Sequence, residues 1–405
     1  LYETPALPAD EAESGPDRAF ASEIIQKART SGRTILTEYE SKQLLAAYGI
    51  PTVETRIALT EAEAEKIAGE IGYPVVLKIH SETITHKTDV GGVQLNLRDT
   101  AAVRQAFTGI QNSVAEKVGA EHFLGVTVQP MSKLDGYELI LGSSIDPQFG
   151  PVLLFGMGGQ LVEVFKDRSL ALPPLNTTLA RRLMERTKIY TALKGVRGRP
   201  PVDMKELELL LVRFSQLIVE QPWIKELDIN PLLASSDRLL ALDARVVVYE
   251  DTVTEAQLPK LAIRPYPAQY NWEVTTQAGL NLTIRAIRAE DEPMLVKFHE
   301  TLSDRTVYLR FMSPLLLSDR VAHERLARIC HCDYDRETTL IALLTDPESE
   351  EERVVGACRI SKLHGLNEAR FSLLISDLYQ RSGIGRGLLR KMIEVAKAEK
   401  ISRLT

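Results

Sequence analysis

From Arg56 onward, apolar positions alternate between two spacings along the chain. Short β-branched runs such as PVVLKI (Pro74–Ile79), VQLNL (Val93–Leu97) and GVTVQPM (Gly125–Met131) have the length and composition of strands. Between them, EAEAEKIAGEIG (Glu61–Gly72) and AAVRQAFTGIQNSVAEKV (Ala101–Val118) carry the spacing of helices that bury one face. Ahead of these, Phe20–Arg29 reads as a short helix, and TEYESKQLLAAYGI places Leu44, Leu45 and Tyr48 on one face, ended by Gly49 before Pro51. Strands alternating with helices predict an α/β layer domain.

The middle of the chain predicts strands GYELILGSS and GPVLLFGMG about a turn at Asp146 and Pro147, then a strand LVEVFKD. A helical region, 179–219, leads to IKELDINPLL and LLALDARVVV, read as a hairpin with Asp243 and Arg245 on the face opposite Leu240 and Leu242. Pro259, Pro265 and Pro267 fall in a stretch without periodicity, which places a linker at 251–280. Beyond it come strand LTIRAI, a helix opened by Asp291, Glu292 and Pro293, strands TTLIALL, RVVGACRISK and ARFSLLIS, and a helix from Arg386 to Glu399.

Length and charge narrow the partners. The 405 residues predict two to three domains. A net charge of -6 gives no electrostatic reason to expect nucleic acid or an anionic membrane. No apolar run approaches the roughly 20 residues of a membrane span. Residues 1–17 read as an acidic, proline-rich linker, and the start at Leu1 and stop at Thr405 suggest a piece of a longer polypeptide. Three cysteines, Cys330, Cys332 and Cys358, favour a reducing cytoplasm over a disulfide framework. Cys330, His331 and Cys332 are adjacent and lack a second ligand pair at zinc spacing.

The candidate chemistry gathers around VVLKIHSETITHKTDVGGV, Val75–Val93. Lys78 ends a strand, where its ammonium can meet a phosphate oxygen. His86, Lys87 and Asp89 follow in a loop that closes on Gly91 and Gly92. Further on, Gly156, Gly158 and Gly159 allow close backbone approach to a ligand, with carboxylates Glu163 and Asp167 beyond them. Asn230 and Asp243 offer oxygens of the kind Mg²⁺ takes while bridging nucleotide phosphates. A second constellation is QRSGIG, Gln380–Gly385, between a strand and a helix, where backbone N–H groups can converge on a pyrophosphate.

In that order, GYPVVLK, HKTDVGGV, GPVLLFGMGG with VEV and KD, and LDINPLL resemble the ATP-grasp domain of ADP-forming acyl-CoA synthetases, relatives of succinyl-CoA synthetase. The resemblance covers Thr34–Val248. It implies ATP or ADP bound by Lys78, by the hinge Val128–Met131 with Gln129 and Met131, by Glu138, and by Gly158 and Gly159. It implies Mg²⁺ on Asn230 and Asp243, and His86 as the histidine that relays a phosphoryl group to an acyl phosphate. A small carboxylic acid, CoA and upstream CoA-binding domains of the same polypeptide would complete the reaction. Residues after 280 resemble a GNAT acetyltransferase of the Pat type, truncated at its C-terminus, through Tyr308–Ser313 and the pyrophosphate turn. That resemblance implies acetyl-CoA on Gln380, Arg381, Gly383, Ile384 and Gly385, and a lysine-bearing protein as acceptor. It departs from the pattern at Arg370, where a glutamate is expected, and leaves Glu368 as the candidate base. The domains expected are thus 1–33 linker and helix, 34–250 ATP-grasp, 251–280 linker and 281–405 GNAT. The competing expectation is an ATP-grasp sensor without turnover that regulates the acetyltransferase.

Overall fold

The computed structural model describes residues 15–84, 86–132, 136–159, 167–196, 198, 200–346 and 349–405. The chain divides into two compact units, parted between Ala262 and Ile263. The expected strand LVEVFKD and its carboxylate Glu163 lie outside the described residues, Asp167 excepted.

The first unit opens with helices α1 (Arg18–Thr30) and α2 (Glu38–Ala47). Thr37 caps α2 through a reciprocal box with Glu40, the arrangement its sequence T-x-x-E encodes. A four-stranded antiparallel sheet follows, built from β1 (Arg56–Ala58), β2 (Val75–His80), β3 (Val93–Leu97) and β4 (Gly125–Pro130) in the order β1-β4-β2-β3. Helices α3 (Glu61–Ile71) and α4 (Thr100–Lys117) pack on it, with Val103, Phe107, Ile110 and Val114 meeting Val75, Leu77, Ile79 and Val128. Burying each such side chain contributes about 1.5–3 kcal/mol.

A second sheet holds β5 (Tyr137–Asp146), β6 (Gly150–Met157), β7 (Arg168–Ala171), β8 (Ile224–Ala234), β9 (Leu239–Ala241) and β10 (Ala244–Val248), in the order β10-β8-β5-β6-β7 with β9 also on β8. The expected helical region contains α5 (Thr177–Glu185), α6 (Ile189–Leu193) and α7 (Met204–Glu220). The last of these places Leu207, Leu210, Leu211, Phe214 and Leu217 in one core with α1 and α2. The hairpin after β8 differs from expectation in one respect. Its second limb breaks at Leu242–Asp243, so Leu239 and Ala241 are buried before the break and Ala244, Val246 and Val248 after it. The even-numbered leucines therefore do not share the buried face with Ala244, because the alternation shifts by one residue at the break.

The second unit is a six-stranded sheet in sequential order. Its strands are β11 (Asn271–Thr275), β12 (Asn281–Ala286), β13 (Glu337–Thr345), β14 (Glu352–Lys362), β15 (Glu368–Ile375) and β16 (Arg403–Leu404). The stretch 251–280 therefore holds a strand, paired with β12 from Asn271↔Arg285 to Thr275↔Asn281, where a linker was expected. Its prolines stop at Pro267, and Trp272 and Val274 alternate with polar residues too briefly to stand out. Helices α8 (Glu292–Glu300), α9 (Asp304–Phe311), α10 (Leu317–Arg320) and α11 (His323–Cys330) follow β12, and α12 (Ile384–Ala398) follows β15. No helix among the described residues is long and apolar enough to cross a membrane.

His299 on α8 makes this unit acid-sensitive. It is 5% exposed and its Nδ1 has no hydrogen-bond partner. Burial, reinforced by Arg320 and Arg325, pushes its pKa down from 6.5 to about 4. The unfolded chain binds this proton between those values and the folded chain does not, so stability present above pH 6.5 is lost as pH falls toward 4. Urea titration is expected to show a loss of about 3 kcal/mol from this residue over that window, and His299→Gln to remove it. An unchanged slope in the variant would assign the acid sensitivity elsewhere.

Candidate functional site

In the first unit the site is built around a carboxylate. Glu38, in the first turn of α2, has a side chain only 2% exposed. Its Oε1 accepts from Lys42 Nζ at 2.8 Å, from Lys78 Nζ at 2.8 Å and from Gln129 Nε2 at 2.7 Å. Lys87 Nζ stands 2.7 Å from Oε2, at ion-pair distance but without hydrogen-bond alignment. Each partner comes from a different element. Lys42 lies one helical turn after Glu38, Lys78 is on β2, Gln129 on β4 and Lys87 in the loop after β2. Asp243, at the break between β9 and β10, faces Lys78 at 3.9 Å and Lys87 at 3.8 Å.

These contacts decide the protonation states. Burial alone would raise the Glu38 pKa, but the ammonium groups of Lys78, Lys42 and Lys87 hold it well below the usual carboxylate range. Burial pushes Lys42 down to about 8 against the pull of Glu38. For Lys87 the attraction of Glu38 and Asp243 outweighs burial and its pKa rises. Three ammonium groups against two carboxylates leave one positive charge in excess, beside a carboxylate that is half exposed.

Asn230 lies on β8 and Asp243 at the break before β10. The β8–β10 register pairs Ile229 with Ala244, which sets Asn230 opposite Asp243. Asn230 Oδ1 accepts from Gly159 N at 3.0 Å, and Gly158 N donates to Glu138 O at 2.8 Å. Both glycines are required here. A Cβ on Gly158 would lie 2.4 Å from the Leu139 carbonyl, and one on Gly159, whose φ is +80°, would lie 1.8 Å from Glu138 Oε2. Glu138, Gly158, Gly159 and Asn230 thus form one edge. Two side-chain oxygens with free lone pairs suit Mg²⁺, which takes few protein ligands when phosphates supply the rest. Among the described residues no cluster of three His, Cys, Asp or Glu side chains stands ready to hold a metal alone.

His86 is exposed in the loop that carries Lys87. His80, on β2, is half-buried, and burial lowers its pKa. The expected hinge residues have other tasks: the Gln129 amide serves Glu38, and Met131 N donates to Pro74 O at 2.9 Å. Glu38 and Lys42 were not among the sequence candidates, and Lys87 had been given no role. The available signal was the Glu-x-x-x-Lys spacing in EYESK, which on its own describes an exposed helix pair.

In the second unit a cleft of about 1050 Å³ runs along β15 to the start of α12. Gln380, Arg381, Gly383, Ile384 and Gly385 line it together, as do Arg305, Thr306 and Arg310 of α9. Gly383 caps α12 with φ +94° and supplies no side-chain cap, so the first N–H groups of the helix are left open at the cleft. Gln380 Nε2 donates to Thr306 Oγ1 at 3.1 Å and Asp377 Oδ1 at 3.2 Å, which fastens the turn to α9. Glu368 stands at the opposite end of β15, is absent from the cleft lining and lies 4.0 Å from Arg403. At about 3.3 Å per residue it is some 10 Å from Phe371, the first residue of β15 to line the cleft, and some 23 Å from Ile375.

Both units have counterparts among known proteins. The chain belongs to the ATP-grasp family, whose domain model matches residues 27–248, and the Acetyltransferase (GNAT) family model matches 308–405. The chain is 44% identical over 231 residues to the acetate–CoA ligase (ADP-forming) I β subunit of Pyrococcus furiosus, covering 57% of this chain and 98% of that protein. It is 40% identical to acetate–CoA ligase (ADP-forming) I of Archaeoglobus fulgidus over 58% of this chain, which is 34% of that protein's length. A solved dinucleotide-forming acetyl-coenzyme A synthetase 1 from Ca. Korarchaeum cryptofilum, in complex with coenzyme A and Ca-AMPCP, is 40% identical with a TM-score of 0.54, covering 56% of this chain and all of that one. The chain therefore joins an ATP-grasp domain like those of ADP-forming acyl-CoA ligases to a GNAT acetyltransferase domain.

Proposed function

We propose that the first unit binds ATP with Mg²⁺ and passes a phosphoryl group between nucleotide and acyl phosphate, as one part of an ADP-forming acyl-CoA ligase. The overall reaction joins a small carboxylic acid to CoA at the expense of ATP, giving acyl-CoA, ADP and phosphate. The observation that carries this reading is the convergence of Lys42, Lys78 and Lys87 on Glu38, beside Asn230 and Asp243. Lys78 and Lys87 place their charge on phosphate oxygens while Glu38 fixes where those charges stand. Glu138, Gly158 and Gly159 bound the nucleotide from the second sheet. Asn230 and Asp243 would hold Mg²⁺, which would supply charge neutralisation at the phosphates. His86, exposed beside Lys87, accepts the phosphoryl group on a neutral ring nitrogen. CoA-binding and acyl-transfer domains of the same polypeptide would act with it in the cytoplasm.

The second unit, on this reading, binds acetyl-CoA with its pyrophosphate on Gln380–Gly385 and transfers the acetyl group to a protein lysine. Two relatives' names, acetate–CoA ligase and acetyl-coenzyme A synthetase, support acetyl-CoA as the compound shared by the two domains.

The full-length protein incubated with γ-labelled ATP is expected to retain label on histidine after alkaline quench. His86→Ala is expected to abolish acid- and CoA-dependent ADP formation while leaving ATP affinity within about threefold. Undiminished ADP formation in that variant would remove His86 from the reaction.

A further inference from the structure

The acceptor side of the GNAT cleft carries an uncompensated positive charge. β13, β14 and β15 run side by side with Glu337 opposite Ser361 and Ser361 opposite Arg370. One step along, Thr339 stands opposite Arg359 and Arg359 opposite Ser372. Glu337, Ser361 and Arg370 therefore share a sheet face with Arg359 and Ser372. Ser372 lines the cleft, so this polar strip opens onto it. Glu337 is already engaged: Arg359 forms an ion pair with it and Ser361 Oγ donates to it at 3.1 Å.

The helices over this face add cations. Arg310 of α9, which also lines the cleft, and Arg325 of α11 lie 5.0 and 4.9 Å from the centre of the Phe311 ring. Among the described residues neither is within ion-pair distance of an Asp or Glu, and Arg370 is exposed without such a partner. Arg359 keeps a buried Nε with no acceptor. Arg310, Arg325, Arg359 and Arg370 against Glu337 and Glu368, which shares the face two residues before Arg370, make four positive charges to two negative, so two are unbalanced. Burial, and after it the charges of Arg359 and Arg325, lower the Arg310 pKa.

This charge sits apart from the pyrophosphate turn. Ser372 precedes Ile375 by three residues, about 10 Å along the strand, and the turn begins only at Gln380. Its counterpart is then a group on the molecule that meets the thioester rather than the phosphates of CoA. An amine next to guanidinium groups loses its proton more readily, and a carboxylate beside that amine finds the planar donors that suit it best.

We infer that this strip is an acceptor subsite selecting an amine that carries carboxylates close by, such as a lysine flanked by acidic residues or a free acidic amino acid. The inference rests on the acetyl-CoA reading of the cleft. The ammonium first gives one proton to solvent. Its lone pair then forms the N–C bond to the thioester carbonyl, the C–S bond breaks with its electron pair going to sulfur, and the second proton passes from nitrogen to the thiolate. The products are the amide, CoA thiol and one proton released.

The test compares peptides of equal length in which one lysine is flanked by Glu, by Ala or by Arg, together with free glutamate, against the full chain and acetyl-CoA. Thiol release is followed, and acetyl-CoA binding is measured separately by calorimetry. Acidic flanks are expected to raise kcat/KM about tenfold over alanine, with arginine flanks lowest. Arg359→Gln and Arg325→Gln are expected to bring that ratio toward one, as is raising the salt. Faster turnover of free glutamate than of the acidic peptide assigns the subsite to a small molecule; the reverse assigns it to a protein. A preference for arginine flanks, a ratio that survives in both variants, or acetyl-CoA bound with no acceptor acetylated would overturn the inference. Failure of the wild type to bind acetyl-CoA would overturn the cleft reading itself.

Discussion

Glu38→Gln is expected to cost the ATP-grasp unit about 3–5 kcal/mol, more at pH 6 than at pH 9. The buried Lys42 ammonium would lose the carboxylate it meets at 2.8 Å, and Lys78 and Lys87 would crowd it with Asp243, 3.9 and 3.8 Å from them, left as the counter-charge among the described residues. Lys42 titrates near 8 in the folded protein and at its ordinary value, 10.5, when unfolded. The unfolded state therefore binds more protons between those values, and stability attributable to Lys42 rises with pH across that window. Without Glu38 the folded pKa falls further, so the penalty is largest in acid, where the lysine must be stripped of its proton or kept charged and unpaired. Polyphosphate provides the missing anion. Saturating Mg–ATP is thus expected to raise the melting temperature of the variant more than that of the wild type. Equal shifts would mean that the three lysines do not face the phosphates. A pH-independent penalty would mean that Lys42 is not the group left unpaired.

That carboxylate also shows where reading a sequence stops. Lys78, Asn230 and Asp243 were legible because each sits beside a strand end or turn whose chemistry is local, and the fold brings Asn230 opposite Asp243 through a hairpin already visible in DINPLL and ALDAR. Glu38 was not legible. Its partners are 40 and 91 residues away on two strands and 49 away in a loop, and nothing in EYESK distinguishes a buried glutamate from a solvated one. Burial is a property of the assembled sheets, and it converts an ordinary helix pair into the hub of a site. The same limit explains Glu368. Spacing along β15 placed it on a face with Arg370, whereas distance along the strand, which period-2 reasoning ignores, keeps it out of the cleft. The strand Asn271–Thr275 was hidden because prolines up to Pro267 dominated a window that ends in a five-residue hairpin arm.

Gly385→Val tests the pyrophosphate turn with little disturbance to the fold. Its backbone is helical, so no positive φ has to be accommodated, unlike Gly383 at +94°. A Cβ at Gly385 would meet Leu373 Cδ2 at 3.4 Å, a contact that small side-chain movement relieves. The variant is therefore expected to unfold within about 1 kcal/mol of the wild type, because valine's helix propensity, slightly better than glycine's, offsets the movement of Leu373. The ligand has no such latitude. The first N–H groups of α12 can donate to phosphate oxygens only if those oxygens approach to about 2.9 Å, and an isopropyl group over the first turn holds them off. Losing two or three charge-assisted hydrogen bonds, each about 1.5–3 kcal/mol, predicts at least a hundredfold weaker acetyl-CoA binding. Calorimetry with acetyl-CoA and with desulfo-CoA separates the thioester from the phosphates, and both are expected to weaken together. Affinity retained for both, in a variant that remains folded, would place the pyrophosphate elsewhere in the cleft, with Arg305 and Arg386 of its lining as the next residues to replace.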